Sequence, residues 1–233
     1  QERLLSYVNR LNSRMLAAHP GEHDLSARLQ SYELAAGMQT AAREALDISS
    51  ETQATQQSYG LDRDETRDYG TRCLIARRLI ERGVRFVQLH TGNQTWDHHG
   101  GIVKGLPNVC RRTIPPAAAL VKDLKERGLL DSTVVHWGGE MGRLPVIQNE
   151  KNIGRDHNTY GFTQWMAGGG LKGGIVHGAS DSIAAYPRDG RVRPQDLHAT
   201  VFHCLGINPD TEYQDAQGRP IPLTRGDVIR QVV

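Results

Sequence analysis

Apolar residues at helical spacing predict two helices in the first part of the chain. The first is predicted over residues 4–16, because apolar side chains recur there every three or four positions: Leu4, Leu5, Val8, Leu11, Met15 and Leu16. After a break at His19-Pro20-Gly21, a second helix is predicted over residues 24–46, whereas the polar segment 49–60 is predicted to be a loop. No capping residue precedes the first helix, so we expect a further segment upstream; a frayed natural N-terminus is the alternative.

From residue 64 onwards, β-rich runs alternate with helices. Strands are predicted over residues 84–90, 132–137 and 162–167. Helices are predicted over residues 64–82, ending at Gly83, over a segment opened by Pro115 and Pro116 and closed by Gly128, and over residues 194–205. This alternation is typical of an α/β fold with a mostly parallel sheet, in which ligand sites gather beyond the carboxyl ends of the strands. We therefore expect a helical segment over residues 1–60 and an α/β domain over residues 61–233.

Composition excludes several classes of protein. Among the 233 residues, no apolar run approaches the roughly 18 residues that span a bilayer. The formal net charge of +2 gives no electrostatic case for a nucleic-acid partner. The three cysteines (Cys73, Cys110 and Cys204) form no CxxC pair, so neither a zinc ribbon nor a disulfide framework is indicated. Cysteine-based redox chemistry stays open as a weak alternative.

Histidines point to a polar site in the second part of the chain. Eight of the ten histidines lie between His90 and His203. The segment WDHHGG offers Asp97, His98 and His99 in the polar loop after a predicted strand, so a carboxylate and an imidazole could bind one metal ion. The alternative is a hydrated polar loop with incidental histidines.

Two further segments carry similar groups. GGEMGR places Glu140 after a predicted strand, and Arg143 could hold an oxyanion. GRDHN places Arg155 beside Asp156 and His157, of which one could be a ligand while the other orients it. The alternatives are a tight turn with a surface ion pair and a capping aspartate beside a surface histidine. His177 is a weaker candidate. A mixed oxygen and nitrogen set suits Zn, Mn or Fe better than Ca.

Four motifs in order carry a family resemblance: WDHHGG, VVHWGGEMGR, GRDHNTYGFTQWMAGGGLKGG and DLHATVFHCLGI. Over residues 60–230 the chain resembles an uncharacterised sulfatase-like family, known by a domain-of-unknown-function label, within the alkaline phosphatase superfamily. The resemblance implies a three-layer α/β/α sandwich with a mostly parallel sheet. It also implies that this chain corresponds to the C-terminal half of a longer fold, whose nucleophile lies in an N-terminal segment.

The resemblance further implies roles for individual residues. From the resemblance, the expected metal ligands are Asp97, His99 and His157, with Glu140 at the position of the superfamily's Asp-His pair. The residues themselves add Asp156 as a further expected ligand, and His98 and His177 as expected orienting residues. Arg143 and Arg155 are expected to steady the substrate anion. Met141 follows Glu140 where the superfamily has an Asp-His pair, which argues against a two-zinc site. The expected cofactor is a divalent metal, with zinc preferred and Mn, Fe, Mg and Ca left open.

The expected activity is therefore metal-dependent hydrolysis of sulfate or phosphate esters. Its partner would be a sulfated or phosphorylated small molecule or glycan. The alternative is a pseudo-enzyme or carbohydrate-binding module of the same fold without the chemistry. Members of the family are exported, so the resemblance implies an exported protein, although the chain itself contains no signal peptide.

Overall fold

The computed structural model describes residues 2–19, 26–32 and 44–233. The chain forms two compact units. One comprises Gln1–Glu51 with Arg78–Val87, and the other comprises Thr52–Arg77 with Gln88–Val233.

The smaller unit begins with helix α1 (Glu2–Ala18), which confirms the first predicted helix. Residues 26–32 and 44–46 are helical as predicted, while the rest of the second predicted helix, residues 24–25 and 33–43, lies outside the described residues. A short 3-10 helix follows at Ile48–Ser50. The buried guanidinium of Arg78 organises this unit, donating to the Ala45 carbonyl at 2.9 Å and pairing with Glu51.

The predicted loop over residues 49–60 is wrong, because helix α2 (Gln53–Ser58) lies within it. The Thr52 hydroxyl accepts a hydrogen bond from the Thr55 N–H at 3.1 Å and so caps the first turn. Tyr59 follows the helix and is fully buried, with its hydroxyl donating to Asp123 at 2.8 Å. A single buried aromatic residue therefore anchors a helix that has no apolar stripe of its own.

Three longer helices form the frame of the remaining chain. Helix α3 (Asp64–Glu81) ends as predicted at Gly83, which has a φ of +81°. Helix α4 (Ile102–Glu126) begins well before the predicted start at Pro115 and contains Pro107, Pro115 and Pro116. The predicted start of this helix at Pro115 is therefore wrong. Packing of the buried face of α4 outweighs the backbone hydrogen bonds that the prolines remove. Helix α5 (Pro194–Cys204) confirms the last predicted helix.

The predicted three-layer sandwich with a mostly parallel sheet is wrong. The strands pair only as four antiparallel two-stranded ladders in the described residues. Their bounds are β1 (Val135–Trp137), β2 (Gly142–Arg143), β3 (His157–Asn158), β4 (Trp165–Ala167), β5 (Ala179–Ser180), β6 (Pro187–Asp189), β7 (Glu212–Gln214) and β8 (Pro220–Pro222). The pairs are β1 with β4, β2 with β3, β5 with β6 and β7 with β8.

The direction in which the strands run explains why the predicted parallel sheet does not form. The predicted strands at residues 132–137 and 162–167 appear in shortened form as β1 and β4, but the β2–β3 hairpin between them returns the chain antiparallel. The predicted strand at residues 84–90 is irregular, and Phe86 within it is 78% exposed. β-rich composition alone does not make a strand there, because no described segment pairs with these residues.

The core of the larger unit lies among its helices. Its fully buried apolar side chains include Tyr59, Cys73, Leu74 and Ala199. Asp123 on α4 accepts from the Tyr59 hydroxyl and pairs with the buried Arg77 of α3 at 2.9 Å, so a partly buried carboxylate joins these elements. None of the helices in the described ranges has the length and apolar content that crossing a bilayer requires.

Candidate metal centre

Three predicted ligands meet in the larger unit. The Oδ1 atom of Asp97 lies 3.1 Å from Nε2 of His99 and 3.3 Å from Nε2 of His157. The three ligand atoms all lie within 4.8 Å of one another. This is the one group of three or more such side chains in the described ranges that could hold a metal ion.

Backbone hydrogen bonds bring the two contributing segments together. The Arg155 N–H donates to the His98 carbonyl at 2.9 Å, and the Ile102 N–H donates to the Ile153 carbonyl at 2.9 Å. Gly154 lies so close to His99 that a Cβ at this position would overlap the His99 carbonyl group. The glycine therefore permits the close approach of the two loops on which the cluster depends.

The β2–β3 hairpin positions the remaining groups. Arg143 on β2 is the direct cross-strand partner of His157 on β3, so their side chains lie on the same face of the ladder. The Arg143 Nη1 atom lies 2.5 Å from Asp97 Oδ1. The hairpin thus delivers one imidazole and one guanidinium to the same carboxylate oxygen.

A neighbouring amide orients the His99 ring. Its Nδ1 atom lies 2.8 Å from Oε1 of Gln148, which can only accept a hydrogen bond. With a proton on Nδ1, the Nε2 atom, which lies towards Asp97 and His157, is the nitrogen that could bind a metal ion. The carboxylate of Asp156 is also on the Nδ1 side, at 3.8 Å. Asp156 thus flanks the ring rather than completing the cluster.

The charges around Asp97 favour its ionised form. Partial burial raises the pKa of this carboxyl, but the hydrogen bond and charge of Arg143, together with His157 and His99, outweigh it and hold the pKa below its ordinary value. Metal binding requires a deprotonated carboxylate. The side chains of His99 and His157 remain 43% and 38% exposed, so an ion can enter from solvent.

The donor set fits a divalent metal. Two ligand atoms bound tetrahedrally to one zinc ion, each at 2.0–2.1 Å, lie about 3.4 Å apart. The two observed separations from Asp97 Oδ1, 3.1 Å and 3.3 Å, are close to this value, and all three ligand atoms lie within 4.8 Å of one another. One carboxylate and two imidazoles leave coordination positions for water or substrate.

The remaining predicted site residues contribute no ligand atom to the cluster. Glu140 is exposed and outside the cluster. The His98 ring lies against Gly105 of α4, and the His177 ring lies near Gly190. Arg155 contributes its backbone to the site, and its buried Nη1 atom has no hydrogen-bond partner in the described part of the chain.

Sequence reasoning missed two features of this region. Gln148 lies in a polar loop whose composition gives no hint of a contact with His99. The protein's only three tryptophans, Trp96, Trp137 and Trp165, also gather here. Trp137 has ring centroids 6.1 Å from Trp96 and 6.0 Å from Trp165, and Trp165 is 41% exposed. The position of Trp96 directly before Asp97 was the available signal.

Comparison with known proteins gives one match. No curated protein and no solved structure matches the chain. A family model described as "Protein of unknown function (DUF1501)" matches residues 1–233. Since the match extends over the whole sequence, the chain belongs to the DUF1501 family.

Proposed function

We propose that this protein is a metal-dependent hydrolase of sulfate or phosphate esters, as its resemblance to a sulfatase-like family implies. The observation that supports the proposal is the meeting of Asp97, His99 and His157 around one carboxylate oxygen. Two imidazoles and a carboxylate are a common ligand set of catalytic zinc, and the same set also holds Fe(II). We propose zinc as the metal, with Fe and Mn as the alternatives for metal analysis to distinguish. When bound, the metal polarises the ester oxygen and stabilises the charge that develops there.

The side chains of the chain supply binding and orientation. Asp97 binds as an ionised carboxylate, while Gln148 holds the His99 ring with Nε2 towards the site. Arg143 and Arg155 are the proposed partners of the substrate anion. The contact of Arg143 with Asp97 supports this role for Arg143, because it holds a guanidinium beside the proposed metal ligands. Arg155 contributes its backbone to the site through the hydrogen bond to the His98 carbonyl.

The substrate class follows from this chemistry. A sulfated or phosphorylated small molecule or glycan presents the tetrahedral oxyanion that a metal and guanidinium groups bind. The resemblance places the nucleophile upstream of this sequence. The resemblance also implies that the protein is exported, so it would meet such substrates outside the cell.

The test measures metal content and hydrolysis together. The chain, alone and extended by its natural upstream sequence, is analysed for bound metals and assayed with p-nitrophenyl sulfate and p-nitrophenyl phosphate. Asp97→Ala and His157→Ala are each expected to abolish metal binding and to lower the hydrolytic activity at least 100-fold (about 3 kcal/mol). His136→Ala, whose ring contacts Gln164 outside the cluster, is the control and is expected to retain both. Unchanged hydrolysis in the Asp97 and His157 variants would contradict the proposal.

A second candidate is a carbohydrate-binding module without catalytic activity. The tryptophan cluster supports it, because an exposed indole face such as that of Trp165 can stack on a sugar ring. All three tryptophans of the chain lie in this cluster, so selectively excited tryptophan fluorescence reports on the cluster alone. A panel of sulfated oligosaccharides tested for fluorescence change and for sulfate release separates the two functions. Binding without release favours the module, and release favours the hydrolase.

A further inference from the structure

One carboxylate oxygen serves two kinds of partner in this structure. Oδ1 of Asp97 faces Nε2 of both His99 and His157, as a shared metal ligand would. The same Oδ1 is also the atom that the Arg143 guanidinium contacts, at 2.5 Å. A metal ion at the cluster would therefore use the same oxygen atom that Arg143 contacts.

We propose that Arg143 is a metal-gated anion-binding residue. A divalent cation bound by Asp97, His99 and His157 displaces the guanidinium from Oδ1 and makes it available to a sulfate or phosphate group. This inference rests on the proposed function, because it concerns the same centre, and it adds an order of events in which the cation precedes the anion.

Electrostatics gives the physical reason for displacement. The guanidinium neutralises Asp97 when no other cation is present, and it is permanently charged. A dication on the same oxygen repels the guanidinium and takes over its role. The released group then carries an unpaired positive charge, which an oxyanion satisfies with two parallel N–H···O bonds.

The position of Arg143 keeps the released group beside the centre. Its backbone is held opposite His157 in the β2–β3 ladder, so the residue stays next to a metal ligand whatever its side chain contacts. The Arg143 side chain is 28% exposed, which allows the guanidinium to meet a ligand from solvent. Cation and anion sites are therefore adjacent and share one movable group.

The two binding events must then be coupled. Since linkage is reciprocal, an anion that captures Arg143 removes the competitor and raises metal affinity by the factor by which metal raises anion affinity. If Arg143 instead supported the metal ligand Asp97, its removal would weaken metal binding. Competition therefore predicts that a variant without Arg143 binds metal more tightly than the wild type, whereas support predicts that it binds metal more weakly.

The experiment is a calorimetric titration of the metal-stripped protein with Zn²⁺, at constant pH, with and without inorganic sulfate. In sulfate-free buffer, Arg143→Gln is expected to bind Zn²⁺ about fivefold or more tightly than the wild type. Sulfate is expected to tighten Zn²⁺ binding of the wild type by a similar factor and to leave that of Arg143→Gln unchanged. Arg188→Gln, which removes an exposed arginine paired with Asp189, is the control and is expected to match the wild type.

The contrary results show whether the inference alone fails or the metal centre fails with it. Weaker Zn²⁺ binding by Arg143→Gln, or a sulfate effect that persists in that variant, overturns the inference and leaves the metal centre standing. A wild-type protein whose Zn²⁺ affinity does not change with sulfate also overturns the inference and leaves the metal centre standing. A wild-type protein that binds no divalent metal overturns the proposed metal centre and this inference together. Circular dichroism of each variant confirms that it is folded.

Discussion

Arg143 and His157 face each other across the antiparallel pair of β2 and β3, and both side chains end at Oδ1 of Asp97. Successive side chains of a strand point to opposite faces, so a shift of this register by one residue would turn one of the two away. The register of a two-residue ladder therefore decides whether the centre forms.

Gln148 is expected to tune metal affinity without binding the metal. Its Oε1 accepts from Nδ1 of His99 at 2.8 Å, so Gln148→Leu removes the group that orients the ring. We expect a 10- to 100-fold loss of Zn²⁺ affinity, the usual effect of losing such a partner. Gln148→Glu is the matched comparison. It keeps an oxygen acceptor and adds a negative charge, so its Zn²⁺ affinity is expected to equal or exceed that of the wild type. Equal affinities for the Leu variant and the wild type would show that the contact has no role.

Gly154 is expected to tolerate no side chain. A Cβ at this position would overlap the His99 carbonyl, so Gly154→Ala must push the two loops of the centre apart. We expect a loss of about 1–3 kcal/mol in the free energy of unfolding and a loss of Zn²⁺ binding, measured by thermal denaturation and calorimetry. Gly173→Ala is the control, because no atom lies within 4 Å of a Cβ there. Metal binding that survives Gly154→Ala would contradict the proposed close packing.

Asp196 is expected to make the fold sensitive to acid. Hydrogen bonds from Arg193 hold the pKa of this carboxyl well below its ordinary range, and the opposing effect of burial does not cancel them. Because the folded-state pKa is lowered, the stabilisation is complete above the unfolded pKa of about 4 and is lost as pH falls below it. We expect Asp196→Asn to lower the free energy of unfolding at pH 7 by about 1–3 kcal/mol.

Denaturant titrations between pH 7 and pH 3 check this prediction. The wild-type free energy of unfolding should fall more steeply towards pH 3 than that of Asp196→Asn. Asp189→Asn, which removes a carboxylate that is 60% exposed and paired with Arg188, is the control. It should cost less than about 1 kcal/mol. Parallel pH profiles for the wild type and Asp196→Asn would refute a lowered pKa.

Cys73 is expected to be chemically inert in the folded protein. Burial raises the pKa of its thiol to about 12, and a hydrogen bond with Tyr69 opposes this only in part. The reactive thiolate is therefore scarce at pH 8 and has no access to solvent. Mass spectrometry after iodoacetamide treatment should find Cys110, which is partly exposed, labelled before Cys73. Rapid labelling of Cys73 in the folded chain would revive the cysteine-based alternative.

Local signals predicted part of the fold well. The spacing of Leu11 and Met15 predicted α1, and Gly83 and Gly128 ended α3 and α4 as expected, because a residue with positive φ stops a helix whatever surrounds it. The polar α2 escaped prediction because its stability comes from Thr52 as a cap and from the burial of Tyr59, which is a tertiary contact. The sheet was wrong for a similar reason, since strand composition carries no information about the direction of the partner.

The residues of the candidate site could likewise be predicted only in part. Asp97, His99 and His157 could be named from residue type and glycine-rich context, and the structure brings these three together. Glu140 and His177 have the same chemistry in similar contexts, yet they lie outside the cluster. Gln148 could not be named, because its role comes from a contact with a residue far from it in sequence.

The sequence by itself determined the kinds of ligand side chain and the glycine C-terminal ends of α3 and α4, because these depend on residue type and on neighbours along the chain. Only the tertiary structure decided which ligands meet, which ring nitrogen faces the centre and that Arg143 shares Oδ1 of Asp97 with both histidines. These depend on the register of β2 with β3 and on the approach of Gly154 to His99, which are long-range contacts. Residue spacing alone does not encode such contacts, since they form only when distant segments pack.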